Sequence, residues 1–289
     1  MADNRLAVRK TYKLYIGGAF PRSESGRSYE VTGAGGQFLA NVALASRKDV
    51  RDAVVAARKA QPGWSAATAY LRGQVLYRAA EMMEGRRGQL AQVVAAAEGL
   101  PAGEAASIVG AAVDRVVWYA GWSDKLAQVA GAANPVAGPY FNFSVPEPTG
   151  VVGVLAPQGS SLLGLVSVLA PVVVSGNAAV VVASQGRPLP AVELAEALAT
   201  SDFPGGVVNL VTGRTAELAP VLAAHRDVEA LDLAGAPEGL GAELEAAAAG
   251  NVKRVLRRQE PEPDWADEPG PERMLYFVET KTVWHPIGL

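Results

Sequence analysis

From Gly150 onward the chain repeats one grammar: a short apolar run, a longer helical pattern, then another apolar run. GVVGVLA (150–156) reads as a strand and SLLGLVSVLAPVVV (161–174) as a helix, followed by AAVVVA (178–183) and AVELAEALAT (191–200). VVNLV, TAELAPVLAAH, ALDLA, GLGAELEAAAA and NVKRVL continue the series to residue 256. Continuously apolar strands are buried on both faces, so their alternation with helices predicts a parallel sheet covered on each side. The expected class is α/β, a doubly wound Rossmann-like domain over 150–259. Part of this stretch imitates a membrane span, because no charged residue lies between Glu147 and Arg187. Gly159, Pro171 and Ser175-Gly176-Asn177 nevertheless cut it into pieces too short for a bilayer.

The first third reads differently. YKLYIGGAF carries a Gly17-Gly18 hairpin signal, and SYEV (28–31) and FLANVAL (38–44) flank a glycine-rich turn. Ser46 is an N-cap candidate with Asp49 three residues on, a weaker form of the capping box. Val50, Val54, Ala57 and Ala60 then recur at helical spacing, and a second helix places Leu71, Val75, Leu76 and Ala79 on one face. Further helix is expected across 90–98 and 103–127, with Trp118, Tyr119 and Trp122 as a packing cluster.

The C-terminal end poses a problem of cover. LYFVETKTVW (275–284) is aromatic and β-branched, which predicts a strand. The segment before it, EPEPDWADEPGPER (260–273), has four prolines and seven charged residues and is expected to build no fold of its own. An apolar edge strand left open invites pairing with another chain. Its partner must lie far back in this chain, in another chain, or both.

Composition removes several functions. Twenty-six basic residues against 29 acidic ones give a net charge of −3, with no basic stripe to support nucleic-acid binding. The sequence contains no cysteine, which excludes disulfides, thiolate metal sites and a thiol nucleophile. Two histidines, His225 and His285, are too few for a histidine metal cluster. Ser160 and Ser161 sit in a strand-to-helix turn, but PQGSSLL is not a G-x-S-x-G nucleophile elbow. Asp232 reads as a loop-capping carboxylate at a strand end, His225 as a helix-end residue and His285 as surface or interface. The polar start, MADNRLAVRK, lacks the apolar core of a signal peptide and predicts a cytoplasmic protein.

The order of the pieces resembles the aldehyde dehydrogenase family. The matching segments are KLYIGGAF, LASRKDVRDAVVAARKAQPGWS, YAGWSDKL, EPTGVVGVLAPQGSSLLGLVSVLAPVVVSGNAAVVVAS and FPGGVVNLVTG, in that order. YFVETKTVWHP resembles the C-terminal strand of that family's oligomerisation domain. The resemblance implies an N-terminal region (1–133) packed on the Rossmann domain and oligomerisation strands at 134–149 and 274–289. It also implies that 260–273 stands where the family has a catalytic domain.

The same resemblance identifies what is missing. The family attacks its aldehyde with a cysteine thiolate, absent here; its oxyanion asparagine corresponds to Gly159, and its general-base glutamate to Arg258. A lysine and a glutamate that hold the adenosine ribose correspond to Val182 and Gln185, while Ser184, Gly213 and Gly235 are kept. The expectation is therefore no resident cofactor, with weak NAD or NADP binding at Ser184, Gln185, Gly213 and Gly235 as the alternative. The predicted role is a non-catalytic structural or regulatory subunit of a complex with a full-length aldehyde dehydrogenase, self-association remaining open. Its oligomerisation residues would be Tyr140, Phe141, Phe143, Tyr276, Val278, Thr280, Val283 and Trp284. The alternatives are an active NAD(P)-dependent aldehyde dehydrogenase and a dinucleotide-binding sensor without chemistry.

Overall fold

The computed structural model describes residues 10–288, so the first nine residues, on which the cytoplasmic expectation rests, lie outside it. Three short strands, β1 (Thr11–Tyr12), β2 (Ser28–Thr32) and β3 (Phe38–Ala43), form a small sheet ordered β1-β3-β2. The Gly17-Gly18 turn closes by the Ile16 N–H donating to the Ala19 carbonyl at 2.9 Å. Both glycines have positive φ, 63° and 82°, which side chains resist. Helix α1 (Arg47–Ala66) begins on the expected capping box. Ser46 Oγ accepts from the Asp49 N–H, and the Ser46 N–H donates to Asp49 Oδ2 at 2.7 Å.

Helices α2 (Ala69–Gly85), α3 (Arg87–Glu98), α4 (Ala102–Trp122) and α5 (Leu126–Ala130) follow. The predicted single helix over 103–127 breaks at Ser123, and Leu71 is exposed rather than part of the buried α2 face.

The alternating region then unfolds as expected: β6 (Val151–Leu155), α6 (Leu163–Val174), β7 (Ala178–Val182), α7 (Leu189–Leu198) and β8 (Val208–Val211). The series continues with α8 (Thr215–Ala224), β9 (Ala230–Asp232), α9 (Gly241–Ala249) and β10 (Arg254–Leu256). All five strands are parallel, in the order β10-β9-β6-β7-β8. Side chains divide between the faces with period two. Val152 and Val154 join the core with α4 and α6, while Val151 and Leu155 join the core with α1 and α8. The chain leaves β6 in one direction and returns to its other side at β9, which makes the β6–β9 boundary the topological switch point.

The C-terminal strand finds its partner inside the chain. Strand β11 (Val278–Pro286) runs antiparallel to β5 (Tyr140–Pro148) through nine registered pairs, and β4 (Ala132–Asn134) flanks β5 on the other side. The start of the strand differs from the sequence reading. Leu275 and Tyr276 belong to a short helix, α10 (Glu272–Tyr276), because Met274 and Phe277 turn inward as fully buried plugs. Tyr276 therefore is no strand residue; its hydroxyl donates to the Val255 carbonyl at 2.6 Å.

The proline-rich segment is also not structureless. It lies across α4 and α6 as a docked strap. Buried Arg115 donates to Ser167 Oγ at 2.6 Å and to the strap carbonyls of Trp265 and Asp267 at 2.9 and 2.7 Å. Arg273 at its end pairs with Asp232, which is fully buried. Among the described residues no helix is long and apolar enough to cross a membrane, and no group of three or more acidic or histidine side chains could hold a metal ion.

Candidate functional site

Open α/β sheets bind ligands beyond the carboxyl ends of their strands, beside the switch point. Here three turns meet there, those after β6, β7 and β9, and Gln158 ties them together. Its Nε2 donates to the Ala156 carbonyl at 2.8 Å and reaches the Gly235 carbonyl at 3.5 Å. Its Oε1 accepts from the Gln185 N–H at 2.9 Å, and its own carbonyl accepts from Ser184 Oγ at 3.0 Å. The sequence pattern does not single out Gln158. Its position directly after the first strand of the parallel sheet was the available signal.

Three of the four predicted cofactor residues, Ser184, Gln185 and Gly235, lie in these turns, and Gly213 follows β8, two residues before Thr215. Ser184 is buried, and its hydroxyl also accepts from the Arg187 N–H at 3.3 Å, so it fastens the turn. Gly235 serves packing, since a Cβ there would lie 1.8 Å from the Ala156 carbonyl oxygen. A Cβ at Gly213 would come within 3.0 Å of Leu218. Gln185 is exposed, and its Oε1 accepts from the Thr215 N–H at 3.2 Å. Val182, at the family's lysine position, is wholly buried in the core under α1 and α8 and presents nothing to a ligand.

The positions matching the family's oxyanion and base residues lie at the same end. Gly159 is exposed, and a Cβ there would meet nothing within 4 Å. Arg258, just past β10, donates to the Ala236 carbonyl at 3.0 Å and fixes the β9–α9 turn. Ser161, the nucleophile considered above, is tied to Glu98: its N–H and hydroxyl both donate to Oε1, at 2.7 and 2.5 Å. Asp232 accepts from the Ala234 N–H at 3.1 Å, as a loop cap should, and takes the Arg273 pair besides. Burial drives its carboxyl above the usual range, and Arg273 pulls in the opposite direction. His225 caps the C-terminal end of α8, and burial lowers its imidazole below the usual value.

Residues 20–258 match the profile of the Aldehyde dehydrogenase family. The chain belongs to that family. It is 33% identical over 252 residues to "Aldehyde dehydrogenase, cytosolic 1" of Elephantulus edwardii, covering 84% of this chain and 49% of that one. It is 32% identical over 267 residues to "Cytosolic 10-formyltetrahydrofolate dehydrogenase" of Homo sapiens, covering 88% of this chain and 29% of the relative. Thus the chain spans half or less of the length of these curated relatives. Among solved structures, the NAD+ complex of an aldehyde dehydrogenase from Bacillus cereus superposes with a TM-score of 0.80 at 28% identity, over 85% of this chain and 50% of that one.

That complex corrects the expectation of no resident cofactor: a member of the family with this fold, at this identity, holds NAD+. The local structure fits the adenosine and phosphate part of such a group. The backbone at Gly159, Gly239 and Gly241 is open, with no atom within 4 Å of a Cβ placed there. Helix α9 begins without a side-chain cap, leaving N–H groups at its start for an anion. Thr215 Oγ1, beside Gln185, is buried without a partner.

Proposed function

We propose that this chain is a dinucleotide-binding, non-catalytic subunit that assembles with a complete aldehyde dehydrogenase through the β4–β5–β11 sheet. One contrast carries the reading: the interaction sheet is built in full, while the reacting positions hold groups without the required chemistry. Strand β11 keeps nine pairs with β5, and Trp284 on β11 and Tyr140 and Phe141 on β5 stand exposed. Its outer edge has no strand beside it among the described residues.

At the other site, no thiol exists in the sequence, Gly159 has no side-chain donor, and Arg258 is a fixed cation. A nicotinamide dinucleotide, when bound, supplies a hydride acceptor. The residues of this chain would hold its adenosine end at the Gln185 turn and its phosphates at the start of α9. They have no means of forming the tetrahedral adduct from which hydride departs.

Purification of the tagged chain from its native host tests the proposal. The expected result is co-elution with a full-length aldehyde dehydrogenase, while recovery as a lone monomer overturns it. Aldehyde-dependent NADH or NADPH formation by the purified chain alone would overturn the non-catalytic part. None is expected.

A further inference from the structure

Strand β10 is an edge strand of the parallel sheet, and a cavity of about 680 Å³ opens beside it, between α9, β10 and α10. Its wall is largely apolar: Ala249, Val252, Val255 and Leu256 line it, and Val252 is 90% exposed. The polar groups of the rim are engaged. Glu245 pairs with Arg257 at 2.7 Å, and the Tyr276 hydroxyl donates to the Val255 carbonyl at 2.6 Å. The remaining lining residue is Lys253, which is only 8% exposed.

A buried ammonium ordinarily has a carboxylate beside it, because desolvating an unpaired charge is costly. Among the described residues Lys253 forms no ion pair, and its ammonium donates to the Asn251 side-chain oxygen alone. The charged groups around it do not supply the missing partner. Glu229, just before β9, is held by Arg58 at 2.6 Å and by the Val151 N–H at 2.7 Å. His225, at the end of α8, feels Asp227 on one side and the cations Lys253 and Arg51 on the other. Burial lowers the Lys253 ammonium below its usual pKa, against the opposing pull of Glu229. More of this side chain is therefore neutral amine near neutral pH than at an exposed lysine.

We propose that Lys253 is an amine nucleophile that captures aldehydes with apolar tails as imines, the tail lying along Val252, Val255 and Leu256. A desolvated lysine amine is the form that attacks carbonyl carbon. The Nζ lone pair bonds to that carbon, an amine proton passes to the oxygen, and the carbinolamine loses water to leave the C=N bond. No oxidant or reductant is consumed. The capture is stoichiometric and uses no dinucleotide, so it is independent of the function proposed above.

Reductive trapping tests it. The whole chain is incubated with hexanal or acetaldehyde and borohydride, and the alkylated lysines are located by peptide mass spectrometry. Hexanal is expected to label Lys253 several-fold faster than exposed Lys59, with a smaller preference for Lys253 when acetaldehyde is used. Lys253→Arg keeps the charge and should abolish labelling there without altering Lys59. Val252→Asp, at an exposed position of the wall, should reduce the hexanal preference while Lys253 remains reactive. Thermal melting checks that both variants are folded. Labelling of the unsubstituted chain that simply follows exposure, with Lys253 among the slowest lysines, overturns the proposal whatever the variants do. Equal preference for the two aldehydes overturns the assignment of the cavity as the site of the tail.

Discussion

The strap and the strand that follows it are neighbours in sequence, and they treat their difficult groups in opposite ways. The strap, residues 260–273, brings charge into the interior and leaves it matched: Arg273 meets Asp232, and Arg115 meets two strap carbonyls and Ser167. Strand β11 instead leaves apolar and aromatic groups outside. Trp284 is 59% exposed and stacks edge-on with Tyr140 at 5.7 Å, on a strand with one unpaired edge. A surface that satisfies itself needs no partner, whereas an open strand with an aromatic rim is a binding surface or a hazard.

The sharpest way to break that comparison is Arg273→Ala. It strands the Asp232 charge in the core, and removing one partner of a buried pair typically costs about 3–5 kcal/mol. Chemical denaturation should show a loss of that order, and Asp232→Asn in the same chain should restore much of it. The pH dependence has a definite sign. The folded carboxyl titrates above its unfolded value, so the native state holds the proton more firmly and stability falls as pH rises through that raised range. Without Arg273 the fall should be steeper, and the deficit should shrink on acidification toward the ordinary carboxylate range.

Next in size is Asn177→Ala. Asn177 is wholly buried; its Nδ2 donates to the Phe277 carbonyl at 2.8 Å and its Oδ1 accepts from the Gly150 N–H at 2.7 Å. The Gly150 N–H would be left without its partner and the Phe277 carbonyl would keep only the Thr149 N–H, for a loss of about 2–4 kcal/mol measured by denaturation. Trp284→Ala should matter least to stability, under about 1 kcal/mol, since the ring is mostly exposed and loses chiefly one aromatic contact. Its effect should appear in co-purification, where capture of the partner subunit is expected to fall. A large stability loss with capture unchanged would mean that the open face is only part of the fold.

The parallel sheet and its helices were legible because their signal is local: buried strands are apolar throughout, and caps such as Ser46 with Asp49 lie three residues apart. The strap was not. Its prolines and charges look like linker when read in sequence, and the groups that hold it, Asp232 and Arg115, lie 41 and about 150 residues away. Aromatic propensity places Tyr276 in the strand, yet burial of Met274 and Phe277 curls that stretch into a helical turn. At the candidate site, sequence located the turns but not the roles within them. Whether a serine faces a ligand or fastens a loop, as Ser184 does, depends on where Gln158 lies, which no periodicity encodes.

The Asn177 bonds have a wider consequence. Through one side chain Gly150, the residue just before the sheet's central strand β6, and Phe277, the last residue before β11, are held as a single piece, with Thr149 N–H also donating to the Phe277 carbonyl at 3.2 Å. The root of the C-terminal strand is thereby part of the same cooperative unit as the Rossmann core. Amide exchange at Val278 should therefore track global opening, while protection fades toward Pro286. A protease would shorten the strand from its tip and stop at its root, and a pull on that tip would be felt at the base of the sheet.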